Sequence, residues 1–195
     1  MVSRDAAIRA FIALQISEEA RRALAEVIET LGNTVPRGVR WVNPKSIHLT
    51  LKFLGEIEPG RTDQILGSLR QAGEGSFPFN LNLSGLGVFP NHRRPRVLWT
   101  GVAGGLDSLT SLQEKVEQAM LERGFALESR PFNAHLTIGR VRDGISAGER
   151  TRIGDAVAAA CLKPTEPWPV DSVHLVQSTL TPQGAVYTSL GSAPL

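Results

Sequence analysis

Apolar and polar positions recur along this chain with two periods, and the switches between them mark out its elements. Ala7 to Ile16 (AIRAFIALQI) is apolar and rich in β-formers, which predicts a first strand. From Ser17 the spacing changes: Ala20, Leu24, Val27, Ile28 and Leu31 recur at helical intervals. Ser17 suits the N-cap, Glu18 and Glu19 suit the positive end, and Gly32 supplies a stop. A Gly/Pro/Arg loop (Gly32 to Gly38) precedes a short strand, Val39 to Val42, and Pro44 separates it from a strand over Ile47 to Leu54. Pro59-Gly60 opens a second helix with Ile65, Leu66, Leu69 and Ala72 on one face and Gly73 at its end. Phe77 to Leu83 alternates strictly and reads as a strand, followed by a turn-rich stretch from Gly85 to Pro95.

The second half repeats this order. Val97 to Val102 is a strand, and Gly104-Gly105 leads into a helix with Leu109, Leu112, Val116, Ala119 and Met120 on its face, ended by Gly124. A loop containing Pro131 enters a strand over Ala134 to Val141. Ser146 and Glu149 form a capping-box pattern for a helix with Ile153, Ala156, Val157 and Ala160 inward. A Pro-rich turn (Pro164 to Pro169) leads to two last strands, Val170 to Gln177 and Ala185 to Leu190, joined by the turn Thr181-Pro182-Gln183-Gly184. Each half reads strand, helix, strand, helix, strand, so the chain is expected to be one domain of two pseudo-repeated halves, about 1–90 and 91–195. No glycine-rich turn follows the first strand, as a doubly wound parallel sheet binding a phosphate there would need. Alternating strands suit antiparallel sheets with one face open. The expected fold class is therefore α+β: two pseudo-symmetric lobes, each an antiparallel sheet with helices outside, and a cleft between them.

Within this pattern one phrase occurs twice, as His48-Leu49-Thr50-Leu51 and as His135-Leu136-Thr137-Ile138. Strand residues two apart share a face. Ile47, Leu49, Leu51 and Phe53 are thus expected to face the core, and His48, Thr50 and Lys52 to face the other way together. In the second copy His135 and Thr137 stand side by side. A lone strand histidine is usually structural; two, each with threonine two residues on and in matched halves, point to a site. Imidazole titrates near pH ~6.5, so one histidine can give a proton while the other takes one. The threonine hydroxyls can bond phosphate oxygens where charge develops. Lys52, Arg130 and Arg140 are the candidate phosphate contacts. Trp41 or Phe11 can stack on a base, with core packing as the alternative role. His92 and His174 carry no catalytic assignment, and four histidines without clustered Cys/His spacing argue against a zinc site.

Composition changes this picture little. A net charge of +2 lacks the strong basic face of a dedicated duplex binder, although His92-Arg93-Arg94-Pro95-Arg96 concentrates three arginines in a loop. The single cysteine, Cys161, excludes an internal disulfide, suits a reducing cytosol, and is expected as a buried, inert thiol in the alanine-rich helical run. No apolar run reaches the ~18 residues of a membrane span, and Met1 to Asp5 shows no signal-peptide core. A cytoplasmic monomer is expected.

The paired phrases resemble those of the 2H phosphoesterase superfamily. Trp41-Val42 ahead of His48-Leu49-Thr50-Leu51-Lys52-Phe53-Leu54-Gly55 is similar to the first motif of the RNA 2′,3′-cyclic phosphodiesterases, long called 2′-5′ RNA ligases. Arg9-Ala10-Phe11-Ile12-Ala13-Leu14, Arg96-Val97-Leu98-Trp99, Arg130-Pro131-Phe132-Asn133-Ala134-His135 through Arg140, and Ser178-Thr179-Leu180 with Gly184 and Tyr187 resemble further blocks of the same enzymes. Ala134 departs from the proline common there, which should alter only how the strand is entered. The resemblance implies a bilobal fold, no metal or other cofactor, and hydrolysis of an RNA 2′,3′-cyclic phosphate end to a 2′-phosphomonoester. Some members also join or cleave 2′-5′ linkages in tRNA halves. It further implies His48 as proton donor and His135 as proton acceptor. Two other readings fit the residues: a phosphodiesterase acting on a small cyclic nucleotide or ADP-ribose cyclic phosphate, and a nucleotide- or RNA-binding module without turnover. Comparing oligonucleotide with mononucleotide substrates separates the first from RNA hydrolysis, and product release excludes the second.

Overall fold

The computed structural model describes residues 6–182 and 184–195; Met1 to Asp5 and Gln183 of the expected turn lie outside the described residues. Among the described residues nine strands and four α-helices follow in the order β1 (Ile8–Leu14), α1 (Glu18–Thr34), β2 (Val39–Trp41), β3 (Leu49–Ile57), α2 (Thr62–Gly73), β4 (Phe79–Phe89), β5 (Val97–Gly104), α3 (Leu106–Leu121), β6 (His135–Val141), α4 (Ala147–Ala159), β7 (Trp168–Val170), β8 (Ser172–Thr181) and β9 (Gly184–Pro194). The helix starts follow the sequence: the Ser17 hydroxyl accepts from the Ala20 amide, and Ser146 and Glu149 close a reciprocal capping box. Gly32 does not stop α1, which runs on to Thr34 just ahead of Val35-Pro36. Strand β4 continues six residues past Leu83, into the first part of the expected turn-rich stretch, because Gly85 is a bulge with φ +64° rather than a chain reversal; Pro90 to Pro95 form the loop.

All pairings are antiparallel, in the order β7-β4-β5-β6-β3-β1-β8-β9, with β2 also on β6. The centre is the weak point of this sheet. Strands β3 and β6, which carry the two motifs, meet at a single pair, Leu49 with Leu136. The sheet therefore divides into two wings, β3-β1-β8-β9 and β7-β4-β5-β6 with β2. Helices α2 and α3 pack on the first wing, and α1 and α4 on the second. The core runs under both wings through Ile12, Leu14, Leu24, Leu49, Leu98, Leu136, Ile138 and Leu175, all almost wholly buried.

The lobes in space are not the halves of the sequence. Strand β4 of the first half pairs with β5 of the second, and β8 of the second half pairs with β1 of the first. Each lobe is closed by a strand from the other half. Cys161 departs from expectation: α4 ends at Ala159 and the thiol is exposed beyond it.

Candidate active site

The same backbone device recurs on both motif strands. Between Thr50 and Lys52, β3 carries one extra residue, Leu51, against β1; between Thr137 and Gly139, β6 carries one extra residue, Ile138, against β5. A bulge reverses the facing of the side chains that follow it, up to the next irregularity, which on β3 is Leu54. On β3 this sends Lys52 inward and Phe53 outward, opposite to simple alternation. Lys52 is 1% exposed, with Nζ donating to Glu117 Oε2 at 2.6 Å and to the Ala126 carbonyl at 2.8 Å. Lys52 is thus not a substrate contact but a core cation neutralised by α3. On β6 the equivalent of Lys52 is Gly139, and the equivalent of Phe53 is Arg140.

The outward residues of both strands line a cleft of about 510 Å³. His48, Thr50, His135, Thr137 and Arg140 share its wall, joined by Arg9 and Arg40. Arg130 stands outside it, in neighbouring hollows that share Phe89 and Val97 with the cleft. Sequence reasoning did not single out Arg9, Phe53, Phe89, Ser178 and Tyr187 as lining residues. Arg9 and Tyr187 stand in phrases that carry the resemblance; Phe53 was hidden by the bulge, and Phe89 by reading β4 as ended.

Both imidazoles are held alike. Nδ1 of His48 lies 2.8 Å from the Ser46 carbonyl, and Nδ1 of His135 lies 2.7 Å from the Asn133 carbonyl. A carbonyl only accepts, so each Nδ1 carries a proton and each Nε2 is left for chemistry. Phe11 stacks on His48 at 4.5 Å, with Tyr187 edge-on at 4.9 Å; Phe89 stands edge-on to His135 at 5.1 Å. The backbone turn behind His48 is fixed from α1: the Arg21 guanidinium donates to the carbonyls of Ile16, Pro44, Lys45 and Ile47. Burial pushes the His48 imidazole below its ordinary value; the Ser46 bond opposes this and the Arg21 charge reinforces it. Phe11 is almost wholly buried against His48, so it shapes the site from within the wall. Trp41 packs against Gly32 and Gly139.

Among the described residues no group of three or more His, Cys, Asp or Glu side chains is placed to hold a metal ion. No helix is long and apolar enough to cross a membrane.

The family model for LigT-like phosphoesterases matches residues 14–99 and 102–187. The chain is 31% identical over 184 residues to the RNA 2′,3′-cyclic phosphodiesterase of Aquifex aeolicus, covering 93% of this chain and 94% of that protein. It is 33% identical over 183 residues to the enzyme of the same name from Thermotoga maritima, covering 94% and 93%. A crystal structure of a Thermus thermophilus protein superposes with a TM-score of 0.76 at 29% identity, covering 96% of this chain and 98% of that one.

Proposed function

The chain belongs to the LigT-like phosphoesterase family, and on that premise we propose that it hydrolyses 2′,3′-cyclic phosphate ends of RNA to 2′-phosphomonoesters, acting as a cytoplasmic monomer. The observation that carries the reading is the paired imidazole geometry: two rings in one cleft, each with Nδ1 tied to the carbonyl two residues back. Relatives covering nearly the whole chain bear the name of this activity.

In this mechanism His135 Nε2 takes a proton from water as its oxygen attacks phosphorus. The bond from phosphorus to the 3′-oxygen breaks, and His48 Nε2–H protonates that oxygen. The products are a 2′-phosphomonoester and a free 3′-hydroxyl. Thr50 and Thr137 donate to the non-bridging oxygens, where charge accumulates, and Arg140 neutralises the phosphate from the same wall. Arg130 meets the substrate at the rim. Burial lowers the His48 pKa and so reduces the imidazolium a donor needs, and an anionic phosphate bound beside the ring opposes that loss.

Mass analysis of the product from a trinucleotide ending in a 2′,3′-cyclic phosphate, with phosphorus–proton NMR to separate the isomeric 2′- and 3′-phosphates, tests this directly. The expected product has gained one water, keeps the phosphate on the 2′-oxygen, and is formed with a bell-shaped pH profile. His48→Ala and His135→Ala should each lose turnover. Near-normal hydrolysis by either variant would remove the two-histidine mechanism.

A further inference from the structure

Beside the catalytic cleft, sharing Phe89 and Val97 with it, lies a hollow of about 900 Å³. Arg93, Arg94, Arg96, Arg130 and Arg150 line it, with Asp143 as its single carboxylate. Its local charge exceeds the +2 of the entire chain. Among the described residues none of these guanidiniums forms an ion pair. Like charges gathered unpaired in a concavity repel one another, and a bound polyanion relieves that repulsion while releasing counterions.

The hollow is also built to hold its shape. The loop between β4 and β5 presents Arg93 and Arg94, and the Asn91 side chain accepts from both of their amides. The Arg96 amide donates to the Phe89 carbonyl at 2.7 Å, closing the loop. His92 Nδ1 donates to the Gly154 carbonyl at 3.1 Å, and Arg150 reaches from α4 to the Pro95 carbonyl at 3.2 Å. Gly154 makes this docking fit: a Cβ there would lie 2.0 Å from the His92 carbonyl oxygen. Two sides of the site are thus fixed to each other, which lowers the ordering cost of binding.

We infer that this hollow is a subsite for RNA backbone phosphates on the 5′ side of the reacting nucleotide, so that the protein prefers oligonucleotide over mononucleotide substrates. The proposal rests on the cyclic-phosphate reading above. A 2′,3′-cyclic phosphate closes the 3′ end of a strand, so the rest of the strand leaves the cleft only in the 5′ direction. The wall shared through Phe89 and Val97 gives it an exit onto five guanidiniums. Arginine suits the task, because its planar fork meets phosphate oxygens in pairs.

The test compares kcat/KM for a 2′,3′-cyclic mononucleotide with that for a trinucleotide carrying the same end, over a range of salt. The wild type should favour the trinucleotide, by a margin that shrinks as salt rises. In Arg93→Ala/Arg94→Ala the trinucleotide KM should rise roughly tenfold or more. Its log–log salt dependence should become shallower by about 0.7 for each phosphate that the variant no longer neutralises. Mononucleotide turnover should be unchanged, which also reports an intact fold. Gly154→Ala, which forces the loop off α4, should show the same selective loss. A trinucleotide preference that survives the double variant overturns the subsite. So does equal kcat/KM for both substrates in the wild type. A wild type that turns over neither substrate brings down the hydrolase reading, and this proposal with it.

Discussion

Lys52→Met is the sharpest test of how the bulge on β3 divides structure from function. The substitution keeps a long flexible side chain but deletes the charge, leaving Glu117 Oε2 and the Ala126 carbonyl without their donor. Glu117 Oε1 still accepts from Gln113 Nε2 at 3.3 Å, a weaker compensation. The glutamate side chain is only 12% exposed, so water reaches it poorly. Breaking one side of a buried pair costs about 3–5 kcal/mol, against a typical total stability of about 5–15 kcal/mol. For a chain of this size that is a fall in Tm of roughly 6–20 °C. Lys52→Met/Glu117→Leu should recover most of the loss, because an apolar pair replaces the ion pair without a stranded charge. Thermal melts followed by circular dichroism give the stability, and kcat/KM on a cyclic-phosphate substrate, taken well below the transition, gives the activity. The single variant should be much less stable yet near wild type in kcat/KM. An unchanged Tm with a large loss of kcat/KM would refute the reasoning and return Lys52 to the phosphate.

Other consequences concern the site itself. The His48 ring should titrate below the usual ~6.5 in an NMR pH series, because burial disfavours its charged form. The unfolded imidazole then binds its proton first, so this stability is complete above about pH 6.5 and declines as pH falls toward the folded value. His174, also lowered by burial, adds to the same window; His48→Gln should flatten the Tm-against-pH curve there in part, and an unaltered curve would contradict the assignment. Arg21→Gln removes the clamp on the turn behind His48 and should lower kcat about tenfold, with the His48 titration moving up; an unmoved titration would deny the electrostatic contact. Thr50→Val and Thr137→Val keep shape and remove a hydroxyl, and should each lower kcat by up to about 2.7–4 kcal/mol in barrier terms if they act as oxyanion donors. Unchanged kinetics in both would take them out of the transition state.

Taken alone, the sequence determined the elements and marked the candidate site. Period-two alternation placed the motif strands, helical spacing placed α1 to α4 with caps at the starts of α1 and α4, and the duplicated His/Thr phrase marked the candidate reacting groups. These are local properties, set by the backbone and by residues a few positions apart. Tertiary structure decided the rest, because it depends on what lies across the strand. Alternation put Lys52 beside His48, and the bulges after Thr50 and Thr137 exist only as a register against β1 and β5. They turn Lys52 into the core and bring Phe53 and Arg140 to the cleft. The sequence repeat suggested lobes, but the exchange of β4 and β8 between halves is a choice of pairing partner that no local pattern records. Cys161 faces solvent because α4 stops two residues before it. His48 and His135, eighty-seven positions apart in the chain, become one site because β3 and β6 touch at Leu49 and Leu136 and then diverge, leaving a cleft of about 510 Å³ between their outward faces.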